Sequence, residues 1–261
     1  MFAQISAVIA FTPPAVGPLI GGWVDQALGF RAVFFVLVIM SILLFIYAYC
    51  RLPETTDPAT RQRTAIWPVV KRIFASPIVL VYGLLIGGIN GVLFSYYAEA
   101  PFIFIEYFQL SPGLYGFLGI IVALASIIGG AMISKRLVIG HPPQKIIHVG
   151  CLVMLGGTLL LTIVCTLPLH ASMMAIGMLI TIFITLLGSG IALPNCLSLA
   201  LLDFQDVIGT AGAIFSLGYY LLVSAITSGM SLLHNGSLLT MPLYFLGLSL
   251  MMWLFGRKFI R

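Results

Sequence analysis

The chain's one long polar run, Arg51 to Arg72, divides two stretches that are apolar almost from end to end. No other feature constrains the fold as much. About 20 apolar residues make a helix that crosses a bilayer core, and runs of that length recur on both sides of the division. Two precede it and six follow, at about 3–24, 32–50, 77–105, 113–134, 145–167, 172–200, 208–233 and 238–256. The runs are continuously apolar and lack the ~10-residue alternating segments of a membrane barrel, so helices are the spanning form. The expected fold class is an all-α membrane protein with eight transmembrane helices.

Composition excludes a soluble domain. Hydrophobic residues make up 61% of the chain and charged residues 7%, with a mean hydropathy of +1.17. A soluble domain carries roughly 25% charged residues, so this chain has too little polar surface to face water on all sides. The net charge of +5 is therefore not read as a nucleic-acid footprint; the partner implied is a lipid bilayer. Basic residues in short loops mark the cytoplasmic side. With the 51–72 run inside, eleven of the twelve Lys and Arg fall inside and only Arg31 outside. Both termini are then cytoplasmic. The outer connections, near 25–31, 106–112, 168–171 and 234–237, are too short to fold alone. Met1 runs directly into an apolar span without a basic n-region, so no cleavable signal peptide is expected. Asn235-Gly236-Ser237 has the form of a glycosylation sequon, and Asn-Gly is equally a tight-turn signal; we read it as a turn.

Cys50, Cys151, Cys165 and Cys196 have no metal-ligand spacing and read as small apolar fillers. His141, His148, His170 and His234 are scattered over loops and a span edge and read as solvated or interfacial. No metal and no cofactor are expected.

The first span contains Pro13, Pro14 and Pro18 among Gly17, Gly21 and Gly22. Prolines free backbone carbonyls that neighbouring helices must satisfy, and glycines let another helix approach closely. Gly17-Pro18-Leu19-Ile20-Gly21-Gly22 resembles the tail of the antiporter motif in the fifth helix of major facilitator drug:proton antiporters. Gly29-Phe30-Arg31 and Leu52-Pro53-Glu54-Thr55 fit the same pattern. Ala100-Pro101-Phe102-Ile103 with Glu106 and Leu110-Ser111-Pro112 resembles the seventh helix of the Bcr/CflA (bicyclomycin resistance-like) multidrug efflux subfamily. Gly190-Ile191-Ala192-Leu193-Pro194-Asn195 and Gly209-Thr210-Ala211-Gly212 resemble its tenth and eleventh helices. Gln4 and Pro13 stand where upstream glycines of the motif would be, and Gly130 to Arg136 only faintly echoes the superfamily's Gly/Arg loop motif.

The resemblance implies a partial major facilitator fold, helices five to twelve of a twelve-helix family. Residues 1–50 would be the last two helices of the N-terminal bundle, 51–76 a basic cytoplasmic linker, and 77–261 a complete C-terminal six-helix bundle. It implies a bacterial inner-membrane efflux transporter exchanging small amphipathic drugs for protons, by rocking of two bundles around a midplane site. The four helices without a counterpart include one that in the family often carries the membrane-embedded acid coupled to protons. An alternative is therefore a truncated, non-autonomous remnant that needs a separately encoded N-terminal part.

Residues that can carry transport are few. An ionisable group in a membrane is a functional candidate, which singles out Glu99 as a proton or gate residue; the competing reading places it hydrated in the outer headgroup zone. Gly83, Gly87, Gly91, Ser95 and Glu99, at steps of four, form a spiralling small-residue face for close packing. Asn90, Phe94 and Tyr97 share another face, lining a cavity or simply packing. Asn195 and Tyr220 are further cavity candidates. Pro101 is expected to kink or end the regular helix near Tyr97. Leu187-Gly188-Ser189-Gly190 faintly resembles an intramembrane serine protease motif, but its first glycine is replaced and no histidine lies inside a later span to act as base. A channel would need a ring of charges or a filter-like loop, and neither is present.

Overall fold

The computed structural model describes residues 16–52 and 65–260. Residues 16–28 form helix α1 and Phe30–Arg51 form α2. Gly29, at φ 79°, is the whole connection between them. The expected loop at 25–31 thus contracts to one residue, because glycine takes the left-handed conformation without a Cβ penalty.

The polar run is not loop throughout. Residues 53–64 lie outside the described residues, but Ile66–Phe74 form an amphipathic helix, α3. Val69 and Ile73 are buried, and Lys71 and Arg72 occupy its last turn. The apolar spacing Ile66, Val69, Val70, Ile73 is a helix stripe, concealed in sequence by the surrounding charge.

Helix α4 spans Pro77–Pro101, and the chain continues as π-helical turns over Phe102–Tyr107. Of the two outcomes expected of Pro101, a kink or an end of the regular helix near Tyr97, the end does not occur. Proline removes one N–H and crowds the carbonyl four residues back, and the change to wider turns begins just after Pro101. Then come α5 (Pro112–Ser126), π turns over Ile127–Ser134, α6 (Lys135–Val138), α7 (Pro143–Thr166) and α8 (Ala171–Ala200). A 3-10 turn over Leu202–Val207 leads into α9 (Ile208–Leu233), followed by α10 (Thr240–Phe259). Pro77, Pro112 and Pro143 sit in first turns, where no intrahelical N–H is lost. The Ser111 hydroxyl caps α5 by accepting from the Leu114 N–H at 3.3 Å.

Six helical stretches among the described residues are long and apolar enough to cross a membrane: Phe30–Arg51, Pro77–Tyr107, Pro112–Gly130, Pro143–Thr166, Ala171–Ala200 and Leu202–Leu233. Of the eight spans expected, the first begins outside the described residues. The last corresponds to α10, 20 residues with Arg257 and Lys258 in the last turn, which is not among the six.

Helices α4, α5, α7, α8, α9 and α10 form one bundle, with α7 against α8 and α10, and α4 against α8, α9 and α10. Most of the membrane-length part of α4 is buried, against none of α2. Within a bilayer, packing rather than water exclusion drives association, and small residues at crossings permit it. A Cβ on Gly188 would lie 2.5 Å from the Met154 amide nitrogen, and one on Gly150 2.7 Å from the Ala192 nitrogen, so α7 and α8 touch backbone to backbone. Gly129 approaches the Leu187 carbonyl in the same way. Polar ties between helices include Thr158 Oγ1 to Ser249 Oγ at 2.8 Å between α7 and α10, and the Tyr244 hydroxyl donating to the Ile226 carbonyl at 2.8 Å. At the tight turn before α10, Asn235 Oδ1 accepts from the Ser237 N–H at 3.0 Å and the Thr240 hydroxyl at 2.7 Å, with Gly236 at φ 75°.

Candidate functional site

The small-residue face of α4 is where the site is built. α4 and α9 run parallel. A Cβ on Gly83 would lie 3.2 Å from the Phe215 ring, one on Gly87 2.6 Å from Leu222, and one on Gly91 2.8 Å from Ile226. The last two pairs share an offset of 135 positions, and carrying it two turns further places Glu99 opposite His234. There His234 Nδ1 lies 2.8 Å from Glu99 Oε2. The carboxylate side chain is 7% exposed and the imidazole 36%. The Phe102 ring lies 4.9 Å from the imidazole, centroid to centroid. Around the pair opens a cavity of about 230 Å³, which Glu106, Tyr107, Ser237 and Met241 also line.

At the other end of α4 and α9 lies an apolar cavity of about 520 Å³, walled by Phe74, Leu80, Leu84, Phe215, Tyr219 and Leu222 among others. Gly83 and Gly218 leave room in its walls. The base of this end is tied by charge. Arg72 Nη1 donates to both Asp206 oxygens, at 3.0 and 2.8 Å, and Nη2 donates to the Asp203 carbonyl. The guanidinium lies over the Phe204 ring at 4.4 Å.

The sequence candidates divide between these places and others. Glu99 is buried and paired, so the reading of it as simply hydrated does not describe this structure. His234, read from sequence as solvated or interfacial, is its partner; the signal was the register of α9 against the glycine series. Asn90 is half-buried and donates to its own helix at the Ile86 carbonyl, 2.9 Å away. Phe94 is exposed, and Tyr97 is half-buried beside Tyr96 with a buried hydroxyl that has no hydrogen-bond partner in the protein. Asn195 is buried and donates to the Ile191 carbonyl at 2.8 Å. Tyr220 is exposed, its ring tilted against that of Tyr219 with centroids 4.5 Å apart; Tyr219, not Tyr220, lines the apolar cavity. Ser189 donates to the Leu186 carbonyl at 2.6 Å, so its hydroxyl is engaged by its own helix. Among the described residues, no three His, Cys, Asp or Glu side chains converge as a metal site.

In the motif-like helix, α1 meets the start of α5. A Cβ on Gly22 would sit 2.5 Å from the Pro112 carbonyl oxygen, and one on Gly116 2.7 Å from the Pro18 carbonyl oxygen. Gln26 Oε1 accepts from the Gly113 N–H at 3.0 Å, and Trp23 meets Phe117 edge-on. Gly17 and Gly21 face open space.

Residues 1–228 match the family model described as the Major Facilitator Superfamily. The chain belongs to that superfamily. Its helices are those of a multi-pass membrane protein of the class. Two uncharacterised transporters from Rickettsia are similar to it. The one from Rickettsia bellii is 29% identical over 259 residues, covering 95% of this chain and 63% of the relative. The one from Rickettsia felis is 30% identical over 244 residues, covering 90% and 59%. An uncharacterised MFS-type transporter of Bacillus subtilis, YdgK, is 27% identical over 232 residues, 87% of this chain and 56% of the relative. The chain thus spans roughly three-fifths of the length of these relatives.

Proposed function

We propose that this chain takes part in proton-coupled efflux of small amphipathic drugs across a bacterial inner membrane, as a member of the Bcr/CflA-like branch. The observation that carries the reading is the apolar cavity between α4 and α9. Its walls are aliphatic and aromatic side chains, with the Tyr219 hydroxyl among its few polar groups, and a pocket of that kind suits amphipathic molecules. The relatives are named as transporters, not enzymes. A protein of Monascus ruber named as a citrinin biosynthesis cluster MFS transporter is 28% identical over 155 residues, 46% of this chain and 31% of that one. Its name associates the superfamily scaffold with a small organic product.

In this reading the Arg72 end of the bundle is cytoplasmic and the Glu99 end is external, following the basic residues. Both termini are inside, and the helices correspond to five through twelve of the family. Asn90, Phe94, Tyr97, Asn195 and Tyr220 supply polar and aromatic contacts along the route. Gly17, Pro18, Gly21 and Gly22 form the helix through which the two bundles meet.

The test is uptake of a fluorescent lipophilic cation into inverted vesicles holding the chain, with and without an imposed pH gradient. Gradient-dependent uptake supports the reading; equal uptake in empty vesicles defeats it. A second reading rests on α2, which buries none of its residues. A helix left without neighbours looks like this, and the chain would then transport only with a separately encoded N-terminal part. Uptake that appears only on co-expression of such a part selects it.

A further inference from the structure

We propose that Glu99 and His234 together form a proton-binding site that pins the outer end of α4 to the end of α9. Glu99 is 5% exposed overall, and a buried charge is retained only when paired and hydrogen-bonded. The paired group is His234, at 2.8 Å. An ionised carboxylate only accepts, so Nδ1 is the donor, and Nε2 is the nitrogen left to take a proton. Water delivers that proton. The neutral imidazole becomes imidazolium, Nδ1–H stays on Glu99, and a neutral-to-ion hydrogen bond becomes an ion pair. The other titratable groups lining the cavity are Glu106 and Tyr107, both from the π-helical turns; Gly236, Ser237, Leu238 and Met241, from the turn and α10, carry no charge. Glu106 adds a second acidic side chain to the same cavity.

The pair can control movement because of what lies next to it. Two residues beyond Glu99, Pro101 interrupts the hydrogen-bond ladder, and Phe102–Tyr107 wind as π turns, features that mark bends and functional hinges in helices. Phe102, the first residue of the hinge, is in ring contact with His234. One imidazole therefore holds both the last turn of α4 and the first turn of the hinge. The sign is fixed by the group that titrates. The ion pair exists only while the imidazole carries its second proton. Acid outside closes this end, and alkali frees it. For its place in a transport cycle the inference rests on the efflux reading: a proton arriving from outside would shut the outer mouth after cargo has left.

The test does not depend on transport. Spin labels at Gln109→Cys and Leu232→Cys, both exposed positions, are placed in a chain whose native cysteines are replaced, reconstituted in lipid nanodiscs. Their distance distribution is read from pH 5 to 8.5. The expected result is a narrow distribution at the acid end that broadens through the window in which imidazoles titrate, about pH 5–8. H234N should be broad at every pH, and H234K, which keeps a cation throughout, narrow at every pH. A parent distribution that does not change with pH overturns the proposal, as does an H234N chain that keeps the pH response. The parent profile stands even if a variant fails to fold. Absent drug uptake with an intact pH response defeats the efflux reading alone; uptake without the response defeats this site alone.

Discussion

Helix α9 is tied near both ends to the part of the chain that begins with α3, and the two ties are chemically unlike. At one end the guanidinium of Arg72 spans Asp206 and the Asp203 carbonyl while lying on Phe204. At the other the imidazole of His234 meets one carboxylate oxygen of Glu99. The first uses a cation that never loses its proton in proteins and a planar fork that fixes geometry. The second uses the side chain whose ordinary titration falls in the physiological range. Exposure is reversed as well. Arg72 and Asp206 are 47% and 60% exposed, whereas the Glu99 side chain is 7% exposed. An exposed pair is a weak contributor to stability, so the Arg72 tie depends on the ring beneath it. A buried carboxylate has no such latitude and depends on its partner's charge. The lesson is that one end is built as a fixed support and the other as a responsive one.

The most damaging way to break this comparison is at Phe204. The ring is 2% exposed and carries the guanidinium on its face. Phe204→Ala should cost about 3–5 kcal/mol, the range for removing a buried aromatic, read as loss of stability in reversible unfolding from detergent micelles. The pH response at the Glu99 end should persist in whatever fraction stays folded. A cost below about 1 kcal/mol, far under the range for a buried ring, would show that the Arg72 end does not stand on Phe204.

Next in size is the spacing between the two ties. Gly91 lies between them, and an added Cβ would sit 2.8 Å from two Ile226 side-chain atoms and 3.0 Å from a third, its Cβ. That Cβ is fixed to backbone and cannot swing aside. Gly91→Ala should cost about 1–3 kcal/mol as an overpacking change and widen the distance distribution at the Glu99 end at all pH values. Gly218→Ala, with open space around the added atom, is the control and should leave both readouts unchanged. Equal effects of the two would mean that α4 and α9 are not held by close glycine contact.

Much of this was legible in the chain before any coordinates. Uninterrupted apolar runs located α2, α4, α5 with its π turns, and α7 to α10 within a few residues, because a bilayer leaves a helix little choice of length. The four-residue glycine series announced the α4 face that packs on α9. Other features were hidden for physical reasons. α3 was missed because its apolar stripe is short and set among charges. Partnership of Glu99 with His234 spans 135 positions, and only the parallel register of two helices brings them together; neither residue's neighbours in sequence signal it. Tyr219 and Tyr220 are adjacent, so they point about 100° apart on a helix. Composition cannot say which of them faces the cavity, and the candidate chosen from sequence was the neighbour of the one that does.

A smaller change sharpens the contrast in geometry. Arg72→Lys keeps the charge but loses the planar fork and the stack on Phe204, so it isolates shape from charge. With both partners about half exposed, the expected cost is at most about 1 kcal/mol. The fixed-support account expects the Leu202–Val207 turn to loosen, read as faster amide exchange there. Amide exchange in the turn identical to the parent's would mean that any cation at position 72 suffices.

The smallest effect should come from Asp206→Asn, and it tests the difference between the two ties most directly. The amide keeps one acceptor for the Arg72 guanidinium and removes the charge. Because both side chains face solvent, water and salt already screen their attraction. Stability should change too little for a thermal melt to resolve, and raising salt from 0.05 to about 0.5 M, which shortens screening to well under 10 Å, should abolish even the residual difference from the parent. The buried pair behaves otherwise: Glu99→Gln should alter the pH profile of the distance distribution, and the same salt should leave that alteration in place. If salt erased both effects alike, the Glu99 carboxylate would be as solvent-screened as Asp206, and the division into a fixed end and a responsive end would fail.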